Sequence, residues 1–207
     1  MIKNIQQNNN SGYLELILGP MYSGKTSKIL ELYKQFKFCN ISVVVINHSL
    51  DTRYHDTLLS NHDKLMIPCI QTNTLNEIWK NDEKFIDSGN FVYSKSYLTL
   101  MKSDVILINE GQFFNDLYDV VIDMLKHNKK IYICGLDGDF ERKKFGQLLD
   151  LIPMCDKVTK LKSLCALCKN GTLGIFSMRL SQDKQQTLVG SDNYIPVCRN
   201  CYNKNIK

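Results

Sequence analysis

Apolar positions along this chain follow two rhythms. Tyr13–Leu18, Ile41–Ile46, Asp104–Ile108 and Lys130–Gly135 are short runs dense in branched and aromatic residues, the pattern of strands buried on both faces of a sheet. Between them, apolar residues recur at helical spacing: Ile29, Leu30, Leu32, Tyr33 and Phe36 within Ser27–Phe38, and a second stretch over Leu117–His127. Thr74–Phe85 reads as a helix with Leu75, Ile78, Trp79 and Phe85 on its apolar side, and a short strand is expected near Phe91–Tyr93. Residues 47–73 show no strong period and read as a long excursion of the functional kind. Alternating strands and helices predict an α/β fold with a parallel sheet flanked by helices. From about Lys157 short segments replace helices, and a hairpin is expected between Thr172–Leu180 and Gln185–Val189. The chain thus divides into a polar leader (1–12), an α/β domain (13–156) and a small C-terminal domain (157–207).

Ligands of such sheets collect beyond the carboxyl ends of the strands, and three polar clusters stand there. The first is Gly19-Pro20-Met21-Tyr22-Ser23-Gly24-Lys25-Thr26, a phosphate-binding loop set between a strand and a helix. Its glycines let backbone N–H groups converge on nucleotide phosphates, Lys25 neutralises the outer ones, and the Thr26 hydroxyl can ligate Mg²⁺. The second is Asn109-Glu110, at the strand end where P-loop enzymes commonly carry an acid that holds the magnesium shell or accepts a proton. The third runs from Leu136 to Gly146 (LDGDFERKKFG). Its two phenylalanines and its cations suit a flat base and an anion.

Composition narrows the picture. An apolar content of 43% supports a sizeable core, and no run approaches the length of a membrane span. The net charge of +5 is scattered, without the basic clusters interleaved with aromatics that mark a nucleic-acid surface. The Asn-rich first twelve residues are too weakly hydrophobic for a secretory signal, so an intracellular, cytoplasmic setting is expected. Of eight cysteines, Cys39, Cys69, Cys134 and Cys155 lie in apolar segments and read as buried thiols. The other four form Cys165-x-x-Cys168 and Cys198-x-x-Cys201. In a reducing compartment these are metal ligands before they are disulfides, and four thiolates close a tetrahedral structural zinc site.

Taken in order, G-P-M-Y-S-G-K-T, D-T-R-Y, N-E-G-Q-F-F, L-D-G-D-F-E-R-K-K-F-G and C-x-x-C…C-R-x-C-Y resemble the motifs of the zinc-containing thymidine kinases of cellular, poxvirus and bacterial type. The resemblance runs from Gly12 to about Tyr202. It implies a P-loop, RecA-like fold with a C-terminal zinc-ribbon and lasso domain. It further implies ATP-dependent phosphorylation of thymidine, and of deoxyuridine, at the 5′-hydroxyl. Carried over residue by residue, Gly19–Thr26 bind the ATP phosphates, and Glu110 is the base for the 5′-hydroxyl proton. Arg53 lies near the transferring phosphate, and Asp51, Thr52, Asn109 and Gln112 belong to the nucleotide side of the site. Met21, Phe113, Leu136, Phe140, Phe145 and Tyr194 surround the nucleoside base, with Thr187 and Val189 on the lasso, about Ser177–Tyr194. Cys165, Cys168, Cys198 and Cys201 hold zinc, and the family's usual assembly is a homotetramer.

Two departures from the family pattern stand out. The family usually has Asp where this chain has Asn109, which retains a carbonyl but no charge. A weaker outer Mg²⁺ shell is therefore expected, and Asn109→Asp is expected to lower the Mg²⁺ requirement. Residues 82–103 exceed the usual connection. Alternatives are a deoxynucleoside kinase of different base preference and a catalytically inactive P-loop nucleotide-binding homologue. A zinc-ribbon nucleic-acid module is disfavoured by the scattered charge.

Overall fold

Six parallel strands form one sheet in the order β6-β1-β5-β4-β2-β3: β1 (Tyr13–Leu18), β2 (Val43–His48), β3 (Ile70–Thr72), β4 (Val105–Ile108), β5 (Lys130–Gly135) and β6 (Lys157–Lys160). This computed structural model describes residues 11–51, 58–60, 65–80, 85–87, 90–188 and 190–205. The period of two along each strand assigns its side chains to opposite faces. Ile17, Val45, Leu107 and Tyr132 meet Ile29, Leu30 and Phe36 of helix α1 (Lys25–Phe38). Leu14, Leu16, Ile46, Ile106 and Ile131 meet the opposite layer. That layer contains α2 (Asn76–Trp79), α3 (Lys95–Lys102) and α4 (Leu117–Lys126). Leu117, Val120, Val121 and Met124 of α4 are fully buried there, each removing apolar area worth roughly 25 cal/mol per Å².

Polar contacts finish what the apolar stripes begin. The Asp116 carboxylate accepts from Leu75 and Asn76 N–H groups (3.2 and 2.8 Å), satisfying amides at the start of α2. Ser94 caps α3 by accepting from the Tyr97 amide. Edge strand β6 is held through the buried Glu15, whose carboxylate accepts from Lys157 Nζ at 2.8 Å and Thr159 Oγ1 at 2.9 Å. Residues 157–160, grouped with the C-terminal domain by the change of style, therefore pair with β1.

Sequence periodicity fails at two places. Among the described residues of Thr74–Phe85 the helix is a single turn, Asn76–Trp79, and Phe85–Asp87 instead pairs antiparallel with Asn90–Val92, where a strand was expected. Lys80-Asn81-Asp82-Glu83-Lys84 interrupts the apolar stripe with five consecutive polar residues. Among the buried thiols expected, Cys39 is exposed at the end of α1, while Cys134 is fully buried.

The C-terminal segment folds as two small hairpins and a helix. Strand β7 (Ser163–Leu164) pairs with β8 (Leu173–Gly174), and β9 (Phe176–Arg179) pairs with β10 (Tyr194–Val197). Helix α5 spans Arg199–Asn205. The expected partner of β9, Gln185–Val189, is not a strand over its described residues. The carbonyls of Asp183, Gln185 and Gln186 accept from Arg179, and this contact shapes the segment as a loop.

Candidate active site at the strand ends

Register brings the three clusters together. Leu18, the last residue before the P-loop, is paired with Gly135, the last before Leu136, and Ile108 lies beside Ile133 and Ile46. The P-loop leaves β1 through Gly19, where an added Cβ would meet the Leu161 carbonyl oxygen at 2.7 Å. It enters α1 through Gly24 in the left-handed conformation (φ 83°), a position natural to glycine. The N-terminus of α1 thus points its first-turn amides and positive dipole end at the loop's concavity. Lys25 is buried, and its ammonium donates to the Pro20 carbonyl at 2.7 Å.

Glu110 follows β4 with φ 53° and ψ 42°, a left-handed conformation uncommon outside glycine and found preferentially at functional sites. Its carboxylate accepts from Gln112 Nε2 at 2.7 Å. The Gln112 Oε1 accepts in turn from the Leu136 N–H at 2.9 Å. Gln112 is buried and works as a clamp between Glu110 and the exit of β5. Asn109 is buried as well: its Nδ2 donates to Asn47 Oδ1 (2.9 Å), and Asn47 Nδ2 donates to Asp51 Oδ2 (3.3 Å). An amide pair therefore ties the ends of β2 and β4 and reaches the Asp51 carboxylate.

One cleft runs between these elements and the C-terminal loop. Of the residues singled out by sequence, Met21 to Thr26, Asp51, Glu110, Phe113, Leu136, Phe140, Phe145, Thr187 and Tyr194 line it. Phe113 and Phe145 meet edge to face at 5.5 Å. Gly19, Pro20, Asn109 and Gln112 are not in the lining. Thr52, Arg53 and Val189 lie outside the described residues. The cations of 142–144 are engaged away from the cleft. Arg142 sits 4.4 Å from the Tyr202 ring, Lys143 pairs with Glu141, and Lys144 pairs with Asp150.

Sequence reasoning passed over several lining residues. Ser177 Oγ accepts from the Met21 N–H at 2.9 Å, stitching β9 to the P-loop. Asp139 folds its own turn, with Oδ1 accepting from the Glu141 and Lys143 amides, and its Oδ2 accepts from Gln186 Nε2 at 2.8 Å. Asp139 followed two residues on by a charged turn is a readable Asx-turn signal. Nothing in the sequence marks its partner Gln186.

His48, at the end of β2, is buried against Phe113 and Phe114. Burial lowers its pKa, opposed by the Asn73 carbonyl and by the charges of Asp116 and Glu110. Cys134, beneath the P-loop, donates to the Lys25 carbonyl, and burial pushes its thiol far up, so it is inert.

Beyond the cleft, the sulfurs of Cys165, Cys168, Cys198 and Cys201 all lie within 4.8 Å of one another. Cys168 Sγ stands 3.7 Å from Cys198 Sγ and 3.4 Å from Cys201 Sγ. A tetrahedral ion with Zn–S bonds of about 2.3 Å needs sulfur separations of about 3.8 Å. The Cys168 and Cys201 amides each direct an N–H at the first sulfur of their own pair, both at 3.4 Å. Donor set and spacing fit zinc. Tyr202, in the small core around these cysteines, donates to the Phe140 carbonyl and braces the unit against the cleft.

Strand, phosphate loop and helix at the end of a parallel sheet, with a four-thiol unit beside them, define a P-loop α/β protein carrying a metal-binding appendage. The thymidine kinase family model matches residues 12–202. The thymidine kinase of Yaba monkey tumor virus is 36% identical over 198 residues, covering 95% of this chain and 98% of that protein. That of Choristoneura fumiferana entomopoxvirus is 38% identical over 199 residues (93% and 97%), and thymidine kinase 1 of Dictyostelium discoideum 34% over 198 (93% and 78%). The chain belongs to the thymidine kinase family. Among the described residues no helix is long and apolar enough to cross a membrane.

Proposed function

We propose that the chain transfers the γ-phosphoryl group of ATP to the 5′-hydroxyl of thymidine, in nucleotide salvage. The observation that carries this reading is a single cleft in which the P-loop, the Glu110 carboxylate and an aromatic slot face one another, in a member of a family whose relatives are named for that substrate. The P-loop amides and Lys25 hold the phosphates. Mg²⁺ is proposed at the Thr26 hydroxyl, with Asp51 as the nearby carboxylate, and it neutralises charge on the phosphates when bound. Glu110, fixed by Gln112, takes the 5′-hydroxyl proton, and Arg53 stabilises the transferring group. Phe113, Phe140, Phe145 and Tyr194 wall a slot suited to a pyrimidine, and Ser177 and Thr187 face its edge. Zinc at the four cysteines holds the covering unit in shape. A homotetramer is proposed on the resemblance, and a cytoplasmic setting on the weak hydrophobicity of residues 1–12.

A nucleoside panel tests the proposal. Incubated with ATP and Mg²⁺, the protein is expected to convert thymidine to its monophosphate in preference to deoxycytidine and the purine nucleosides. Glu110→Gln should lower turnover by roughly 10²- to 10⁴-fold, the usual contribution of a general base, with ATP binding retained. ATP binding without product from any nucleoside would sink the proposal and leave a nucleotide-binding homologue.

A further inference from the structure

Arg179 is the last residue of β9, paired in register with Tyr194, the first of β10. The loop between them faces the cleft through Gln186, Thr187 and Leu188. Arg179 is 9% exposed, and the contacts of its guanidinium among the described residues are unusual for a buried cation. Nε donates to the Tyr194 hydroxyl at 3.1 Å, and one Nη donates to the same hydroxyl and to the Gln186 carbonyl at 3.0 Å. The other Nη donates to the Asp183 carbonyl at 2.9 Å and to the Gln185 carbonyl. These bonds engage all five N–H donors that an arginine has. The guanidinium carbon Cζ lies over the Phe140 ring, 3.7 Å from its centroid, an attractive arrangement for a desolvated cation. Thus one side chain gathers three loop carbonyls, fixes the tyrosine that lines the slot, and rests on the phenylalanine beside it.

We propose that Arg179 is a positioning residue for nucleoside recognition: it folds residues 183–188 around its guanidinium and so presents Thr187 and Leu188 to the cleft in a set shape. A main-chain loop has few side-chain contacts of its own to define it. Without a common donor its carbonyls would turn to water, and ordering the loop would then count against binding. The Gln186–Asp139 bond is a second, weaker clip. Lysine cannot substitute, because an ammonium has three donors on a flexible stem and no planar fork. This inference rests on the proposal that the cleft takes a nucleoside.

The test is Arg179→Lys in the full chain, with steady-state kinetics for both substrates and amide hydrogen exchange over 183–188. The KM for thymidine should rise about tenfold or more, the loss expected for hydrogen bonds to a charged group, while kcat and the KM for ATP hold. Exchange over 183–188 should accelerate while β9 and β10 stay protected. An unchanged thymidine KM, equal rises for both substrates, or unaltered exchange would each overturn the proposal. Should Arg179→Lys fail to fold, Tyr194→Phe removes one acceptor only. It should raise the thymidine KM less, with faster exchange in the same segment, and no change in either would refute the assignment. If the unaltered chain makes no thymidine monophosphate, the kinase reading falls, and the exchange comparison alone decides whether Arg179 shapes the loop.

Discussion

The P-loop and the loop that faces it across the cleft are held in contrasting ways. The P-loop springs from β1, whose Leu14, Leu16 and Ile17 are wholly excluded from water, and runs into a helix whose Ile29 and Leu30 are equally buried. Its shape follows from a large apolar core. The facing loop has no such support: the core of its unit is Cys165, Val197, Cys198 and Tyr202 with a few half-buried neighbours. Its shape follows from four sulfurs, one buried arginine and a tyrosine hydroxyl bonded to the Phe140 carbonyl. A large core tolerates single apolar swaps that keep its volume, at a cost usually under about 1.5 kcal/mol each. A unit tied at points loses its form when one tie goes.

The largest change expected on the floor comes from Asn109→Asp. Besides the lower Mg²⁺ requirement expected of it, the substitution removes a bond: Asn109 Nδ2 donates to Asn47 at a site only 1% exposed. A carboxylate there faces the Asn47 oxygen with no proton to give. Stability should fall by about 1–3 kcal/mol, the penalty for a buried polar group left unpaired. Urea unfolding at neutral pH measures it, and an undiminished midpoint would mean that the amide pair does not tie β2 to β4.

A smaller effect follows from His48. The Leu50 N–H donates to His48 Nδ1 at 3.1 Å, so protonation must break this bond as well as charge a buried ring. Because the folded-state pKa is depressed, the unfolded chain takes up the proton first. The stability contributed by neutral His48 is therefore present above its ordinary pKa of 6.5 and is lost as pH falls below it through the folded value. His48→Gln should flatten this part of the stability–pH curve. Identical slopes in both proteins would exclude His48 as its source.

The same contrast explains what the sequence disclosed. The floor was legible because burial on both faces writes continuous apolar runs such as VILI, and because the P-loop demands glycine at fixed spacing. The zinc ligands were legible as paired cysteines. The Arg179 knot was not: three of its four acceptors are main-chain carbonyls, which leave no trace in residue identity, and this is why Gln185–Val189 read as a strand. Gln112 and Asn109 were singled out by motif, yet their parts as clamps depend on Leu136 and Asn47, partners that only the parallel register brings near. The single turn at Asn76–Trp79 shows that apolar spacing predicts a helix only while polar residues keep to the other side.

In the proposed reaction the floor holds the nucleotide and the metal-tied cover holds the nucleoside. The direct test is to titrate ATP and thymidine separately into the full chain before and after removing zinc with a chelator. Structural zinc contributes on the order of 10 kcal/mol to the units that it closes, so the cover should unfold while the sheet stands. The account predicts that thymidine binding disappears and ATP binding persists. Thymidine binding that survives metal removal, or both ligands lost together, would contradict it.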